Sequence, residues 1–226
     1  KFMGTFAFGW RIILTTGTGS IFGFLVAREA YSTAILAPLF IIMSLLYGTA
    51  VYYLILRLIS KFHDTYITTD ILDNLKKLSV MFLFANLYFL GLYHVTNMYI
   101  AKHLDFEIFI LSSGGIYTIS FWVGQVFIGI ILPIIILSSN KLCTHLALTI
   151  SSILILIGSF IAMYVIIIGG QAYPLTIFPD HIIIDSSFFD NVVHSYVPSV
   201  YEFGLGIGGV ALALIIVLVG IANFKF

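Results

Sequence analysis

Charged side chains are scarce: Asp, Glu, Lys and Arg make up 9% of the 226 residues, where a soluble domain carries about 25%. Ten basic and ten acidic residues cancel to a net charge of zero. No basic face therefore points to nucleic acid, and bulk electrostatics select no acidic substrate. Cysteine occurs once, at Cys143, which excludes an internal disulfide framework, and no Cys/His cluster has the spacing of a zinc or iron–sulfur site. A redox group held by this chain would be organic or a haem; no metal site and no iron–sulfur cluster are expected in it. The sequence opens at Lys1 rather than a methionine, and its first apolar run lacks the basic start and cleavage site of a secretory signal. A preceding N-terminal portion is expected.

Apolar sequence fills the space that charge leaves, with 61% hydrophobic residues and a mean hydropathy of +1.13. A membrane-crossing helix takes about 20 mostly apolar residues, and six runs approach that, at 6–26, 34–58, 78–100, 117–139, 144–169 and 200–223. Their apolar character is continuous, whereas membrane barrel strands alternate every second residue over segments of about ten. The expected fold is an all-α integral membrane protein, with six transmembrane helices in one bundle spanning residues 1–226. The first run is the most diluted, because Arg11 interrupts it and Gly and Thr crowd between Gly17 and Gly23. A helix starting near Arg11 lets that side chain snorkel to the head groups.

Two connectors carry information. The segment SKFHDTYITTDILDNLKKL places Asp70 and Asp73 ahead of Lys76 and Lys77, the signature of a helix start. Residues 170–199 contain Pro174, Pro179 and Pro198 and three acids, with no Lys or Arg. Lys and Arg accumulate in short cytoplasmic loops. One side collects Lys1, Arg57, Lys61, Lys76, Lys77, Lys141 and Lys225, and the other has Arg28 and Lys102. The acidic loop is expected to face away from the cytoplasm.

Ionisable groups in hydrocarbon cost about 2.5–3.5 kcal/mol each on insertion scales, so each needs a reason. Asn86, His94 and Asn97 share a helical stripe with Leu90. That stripe reads either as a lining where His94 relays protons or as a satisfied interhelical hydrogen-bond network. Arg28 and Glu29 sit at an outer turn, where they clamp a head group, pair with each other, or anchor the interface. The Gln125 amide serves a ligand carbonyl or a neighbouring helix. Glu202 follows Pro198 and Ser199, which fits first-turn helix chemistry. It also adjoins the small-residue ridge of Gly204 and Gly208, where partial desolvation suits a carboxylate to proton transfer. Haem b needs two histidines at one depth on facing helices. His94 lies toward the outer side, His145 opens the fifth run from the inside, and His103, His181 and His194 fall in outer loops, so no haem is expected.

The stretches TGTGSIFGFLVAREAYSTAILAPLFIIMSLLYG, LYHVTNMYIAKH, SGGIYTISFWVGQVFIGIILP, GGQAYPLTIFPD and SSFFDNVVHSYVPSVYEFGLGIGG resemble the NrfD-like polysulfide reductase membrane subunits, the family of NrfD, PsrC, HybB and DsrP. GGQAYPL and the P-S-x-x-E helix start are most similar to the DsrP branch. The resemblance implies a haem-free membrane subunit of a multi-subunit respiratory redox complex in a prokaryotic cytoplasmic membrane, of sulfur metabolism on the DsrP side. It would exchange electrons between menaquinone, or another quinone, and an iron–sulfur protein on the non-cytoplasmic face, beside other membrane subunits and lipid. Family members have more helices than six, so the chain is expected to be a C-terminal portion, and their quinone pocket is placed chiefly in an N-terminal bundle. Arg28, Pro198 and Glu202 match recurrent family positions, and Tyr31 stands where a Trp is often found. Quinone chemistry needs an apolar pocket, donors at the carbonyls and a proton route. His94, Asn97, Gln125 and Arg28 are the expected quinone or head-group contacts, with His94 and Glu202 transferring protons. Two other classes stay open. A secondary transporter or proton channel would show inverted repeats and broken helices, and the first and last three runs show no such symmetry. A purely structural anchor is consistent with the glycine ridges.

Overall fold

Along Leu36–Phe62 (α2), Leu36, Leu39, Phe40, Met43, Leu46, Ala50 and Tyr53 fall at spacings of three and four and are all buried, so one stripe of this helix faces the core. In the computed structural model, which describes residues 2–62, 66–139, 144–174, 193 and 196–223, α2 packs against three other helices. They are α1 (Phe2–Gly23), α3 (Thr69–Tyr99) and α6 (Thr144–Ala172). Between α3 and α6 come α4, Ala101–Ile108 continued by a wide π turn at Phe109–Ser113, and α5 (Ile116–Ser138), which packs on α6. The last helix, α7 (Val200–Asn223), belongs to a second unit, residues 194–226; residues 1–193 form the first.

The protein is an all-α integral membrane protein. Helices α2, α3, α5, α6 and α7 are long and apolar enough to cross a membrane. The first expected span differs. It is helical over 22 residues, yet Arg11 and its many Gly and Thr residues keep it out of that set. The helix also starts at Phe2 rather than near Arg11, which puts Arg11 about 14 Å along the axis at 1.5 Å per residue. The Arg11 side chain is exposed. It lines a groove of ≈ 680 Å³ with Thr15, Ser44, Tyr47 and Tyr52. The expected start of α3 holds: Thr68 is extended at the N-cap and Asp70 lies in the first turn. Residues 101–113, read from the sequence as an outer loop, are helical. Most of the acidic segment, including Pro179, Asp180, His181, Asp185, Asp190 and His194, lies outside the described residues, as do Lys1, Lys141, Cys143 and Lys225.

Two spans depart from regular α geometry. In α5 the stretch Ser120–Ile131 is π-helical, and Leu132 N–H reaches back to the Phe127 carbonyl just before Pro133, which has no N–H to give. In α6 the stretch Tyr164–Gly169 is π-helical. The Tyr31 hydroxyl donates there to the carbonyls of Ile166 and Ile167 at 3.0 and 3.2 Å, satisfying acceptors displaced by the wider turn. The two spans meet backbone to backbone: a Cβ on Gly158 would lie 2.2 Å from Gly129 Cα, the close approach that small residues allow between membrane helices. Gly158→Ala is expected to cost about 1–3 kcal/mol through overpacking. Gly91→Ala, where a methyl meets nothing within 4 Å, should instead be neutral or stabilising by up to about 1 kcal/mol. Thermal unfolding in detergent, followed by circular dichroism, compares the two.

Candidate functional site

The α3 stripe of Asn86, Leu90, His94 and Asn97 is buried, so its polar members need partners within the protein. The chief one comes from α4. Ile100 is extended (φ −91°, ψ 111°) and breaks the helix after Tyr99. The chain then turns back so that His103, Phe106, Glu107 and Ile110, at i, i+3, i+4 and i+7, are buried. This face sets Glu107 against α3. Glu107 Oε2 lies 2.6 Å from His94 Nδ1, and Asn97 Nδ2 donates to Oε1 at 2.9 Å. Glu107 and Asn97 are 0% exposed and His94 is 9% exposed. Both carboxylate oxygens are thereby occupied. A hydrogen bond between an imidazole and a carboxyl group is strengthened wherever either partner is ionised. Phe121 of α5 packs edge-on against the imidazole, with ring centroids 4.7 Å apart.

His94 and Gln125 also meet. With Leu90, Tyr93 and Phe121 they line an enclosed cavity of ≈ 20 Å³, the room of about one water and far below the about 300 Å³ at which ligand pockets begin. Gln125 is 5% exposed, and its Oε1 has no hydrogen-bond partner.

Arg28 is placed elsewhere. Its guanidinium donates to the carbonyls of Gln171 and Tyr173 at 2.9 and 3.1 Å, capping the C-terminal end of α6 with a positive charge where the helix dipole favours one. The same end of the first unit is tied by Tyr93 Oη donating to the Ala30 carbonyl at 2.8 Å, Lys102 Nζ to Val26 at 2.8 Å, and His103 Nδ1 to the Glu29 carbonyl. Burial, followed by the neighbouring Asp105, pushes the Glu29 carboxyl above its ordinary value, against the pull of His103 and Lys102. Burial likewise pushes the Tyr31 phenol up to about 12, so it stays a donor at any physiological pH. At the opposite end Tyr53 donates to the His145 carbonyl at 2.8 Å, and Arg57 reaches the same carbonyl at 3.4 Å.

Glu202 closes a capping box at the start of α7. Ser199 N–H and Oγ donate to Glu202 Oε2 at 2.6 and 3.0 Å, while Glu202 N–H donates to Ser199 Oγ at 3.3 Å. Within the first unit the structure thus gathers His94, Asn97 and Gln125 and gives Arg28 hydrogen bonds to the end of α6; in the second unit Glu202 belongs to a capping box. Sequence reasoning missed Glu107. Its signals were an acid inside the apolar stretch FEIFIL, and its i, i+4 spacing from His103 on a segment read as a loop.

The profile of the family described as "Polysulphide reductase, NrfD" matches residues 1–174. Among curated proteins, the chain is 28% identical over 227 residues to the Hdr-like menaquinol oxidoreductase integral membrane subunit of Archaeoglobus fulgidus, covering 99% of this chain and 57% of that protein. It is 24% identical over 202 residues to a selenate reductase subunit of Mesobacillus selenatarsenatis, covering 88% of this chain and 45% of that one. The chain thus spans about half the length of the curated relatives it matches. No solved structure matches it significantly.

Removing one partner of a buried pair leaves the other uncompensated, at about 3–5 kcal/mol. Glu107→Leu, which strands both His94 Nδ1 and the Asn97 amide, is expected to destabilise by that order. Glu107→Gln keeps an acceptor and should lose less. The separation of their melting temperatures in detergent checks the pairing.

Proposed function

The chain belongs to the polysulphide reductase NrfD family, and from that premise we propose that it is a quinol-interacting integral membrane subunit of a multi-subunit redox complex. The names of two relatives support the reading: one is a menaquinol oxidoreductase membrane subunit and the other a selenate reductase subunit. Menaquinol is the favoured substrate on the first of these. The observation that carries the mechanism is the His94–Glu107 pair, held inside the membrane protein with Asn97 on the second carboxylate oxygen.

Oxidising a quinol releases two protons and two electrons, and in a membrane the protons need acceptors away from bulk water. An imidazole beside a carboxylate accepts one proton at a time. The protonated pair is net neutral, as imidazolium and carboxylate or as imidazole and carboxylic acid, and neutrality is what burial favours. Asn97 holds the carboxylate in place for this exchange. The enclosed space beside His94 does not fit a quinone ring, so His94, Asn97 and Gln125 act on protons and not as walls of a ring pocket. Electrons pass to a partner. We place an iron–sulfur protein at the end of the bundle carrying α4 and the α1–α2 turn. Arg57, Lys61, Lys76 and Lys77 cluster at the other end, which supports assigning that end to the cytoplasm and this one to the outside. A cytoplasmic-membrane location in a prokaryote fits the same arrangement. The DsrP-side assignment, and sulfur compounds as distal substrates, rest on GGQAYPL and the P-S-x-x-E start.

In the assembled complex, Glu107→Gln is expected to lower quinol-dependent electron transfer by about 10²- to 10⁴-fold with the set of associated proteins unchanged; wild-type turnover in a correctly assembled variant would remove the pair from the mechanism. Glu202→Gln preserves the capping box, since Gln serves at that position as well as Glu. It should leave both assembly and turnover as in the wild type, measured in the same assay.

A further inference from the structure

The cavity lined by His94 and Gln125 leaves a buried polar atom without a hydrogen bond. That atom is the acceptor Gln125 Oε1, buried and without a partner. Its counterpart is the imidazole: Glu107 occupies Nδ1, which leaves Nε2 as the other ring nitrogen, able to bond a water as donor or as acceptor with the tautomer. His94 and Gln125 line the same ≈ 20 Å³ space, which is enough for one water. A lone buried acceptor costs about 1–3 kcal/mol, and a water donating to Oε1 while bonded to the imidazole removes that cost.

We propose that this cavity is a water-binding site, and that Gln125 is a positioning residue holding the water against His94 Nε2. The fold explains why this amide is there. Gln125 lies in the π stretch of α5 between Gly124, where a Cβ would come 2.6 Å from Ile161, and Gly129, pressed on Gly158. Both neighbours are fixed against α6, so the side chain between them has a fixed direction. The water extends the hydrogen-bonded chain from Glu107 through His94 by one member, to Gln125. Any part this water plays in quinol chemistry rests on the proposed function; the water itself does not.

The test uses infrared difference spectroscopy on the purified assembly in lipid, hydrated with ordinary or oxygen-18 water. A sharp O–H stretching band that shifts with the oxygen isotope is expected in the wild type. It should be lost in Gln125→Met, which keeps the side-chain length but removes the amide, and in Leu90→Phe, which fills the cavity from α3. No isotope-sensitive band in the wild type overturns the proposal, and so does a band retained in either assembled variant. Loss of the band in Gln125→Met alongside unchanged quinol turnover in Glu107→Gln sustains the water site while removing the quinol reading, so the two fail separately.

Discussion

A carboxylate wholly out of water must have both oxygens matched, and the first unit is arranged around that requirement at Glu107. Two hydrogen bonds, from the imidazole and the amide of α3, meet it. They can form only if the chain leaving α3 folds back instead of running out to solvent. The extended Ile100 supplies the reversal, and α4 lays its buried face on α3. Gly114 and Gly115, the latter at φ +57°, return the chain into α5. Gly114 N–H donates to the Phe109 carbonyl at 2.6 Å, which closes the π turn of α4. The Glu107 carboxylate thus sets the path of about fifteen residues of backbone, by the cost of leaving its oxygens unpaired.

The apolar part of the protein answers to a different constraint. With little hydrophobic drive between helices in lipid, closeness of approach decides packing, and Gly129 against Gly158 fixes how near α5 and α6 come. The wide turns in these two spans fall beside the cluster: Gln125 lies in one and lines the same cavity as His94, and Tyr31 satisfies carbonyls of the other. Departures from α geometry inside membrane helices often mark functional positions, and here both adjoin the one buried acid–imidazole pair among the described residues.

Much of this was legible beforehand. Long continuous apolar runs announced the spans, because hydrocarbon admits only backbone that satisfies itself, and the i, i+4 and i+3 offsets of Asn86, Leu90, His94 and Asn97 placed them on one face. The helix carrying Arg11 starts at Phe2 rather than near Arg11, because composition shows that a helix is diluted but not where it begins. Glu107 was missed because span reading sorts residues into membrane and loop, and α4 is neither. Its acid is costly only once the reversal at Ile100 is known. Arg28 shows the limit of reading a turn by itself: its hydrogen bonds to the end of α6, distant in sequence, are not legible from the AREAY stretch.

The ties at the α4 end share one asymmetry. Arg28, Tyr31, Tyr93, Lys102 and His103 all give their hydrogen bonds to main-chain carbonyls, at Gln171, Tyr173, Ile166, Ile167, Ala30, Val26 and Glu29. The donating side of each tie is written in a side chain and is lost with one substitution, while the accepting side belongs to every residue type alike. Sequence drift at the accepting positions leaves the fastening intact, whereas drift at the donors undoes it. A lineage of this fold can therefore remodel the surface of that end, and with it the partners it meets, around a handful of residues that have to stay.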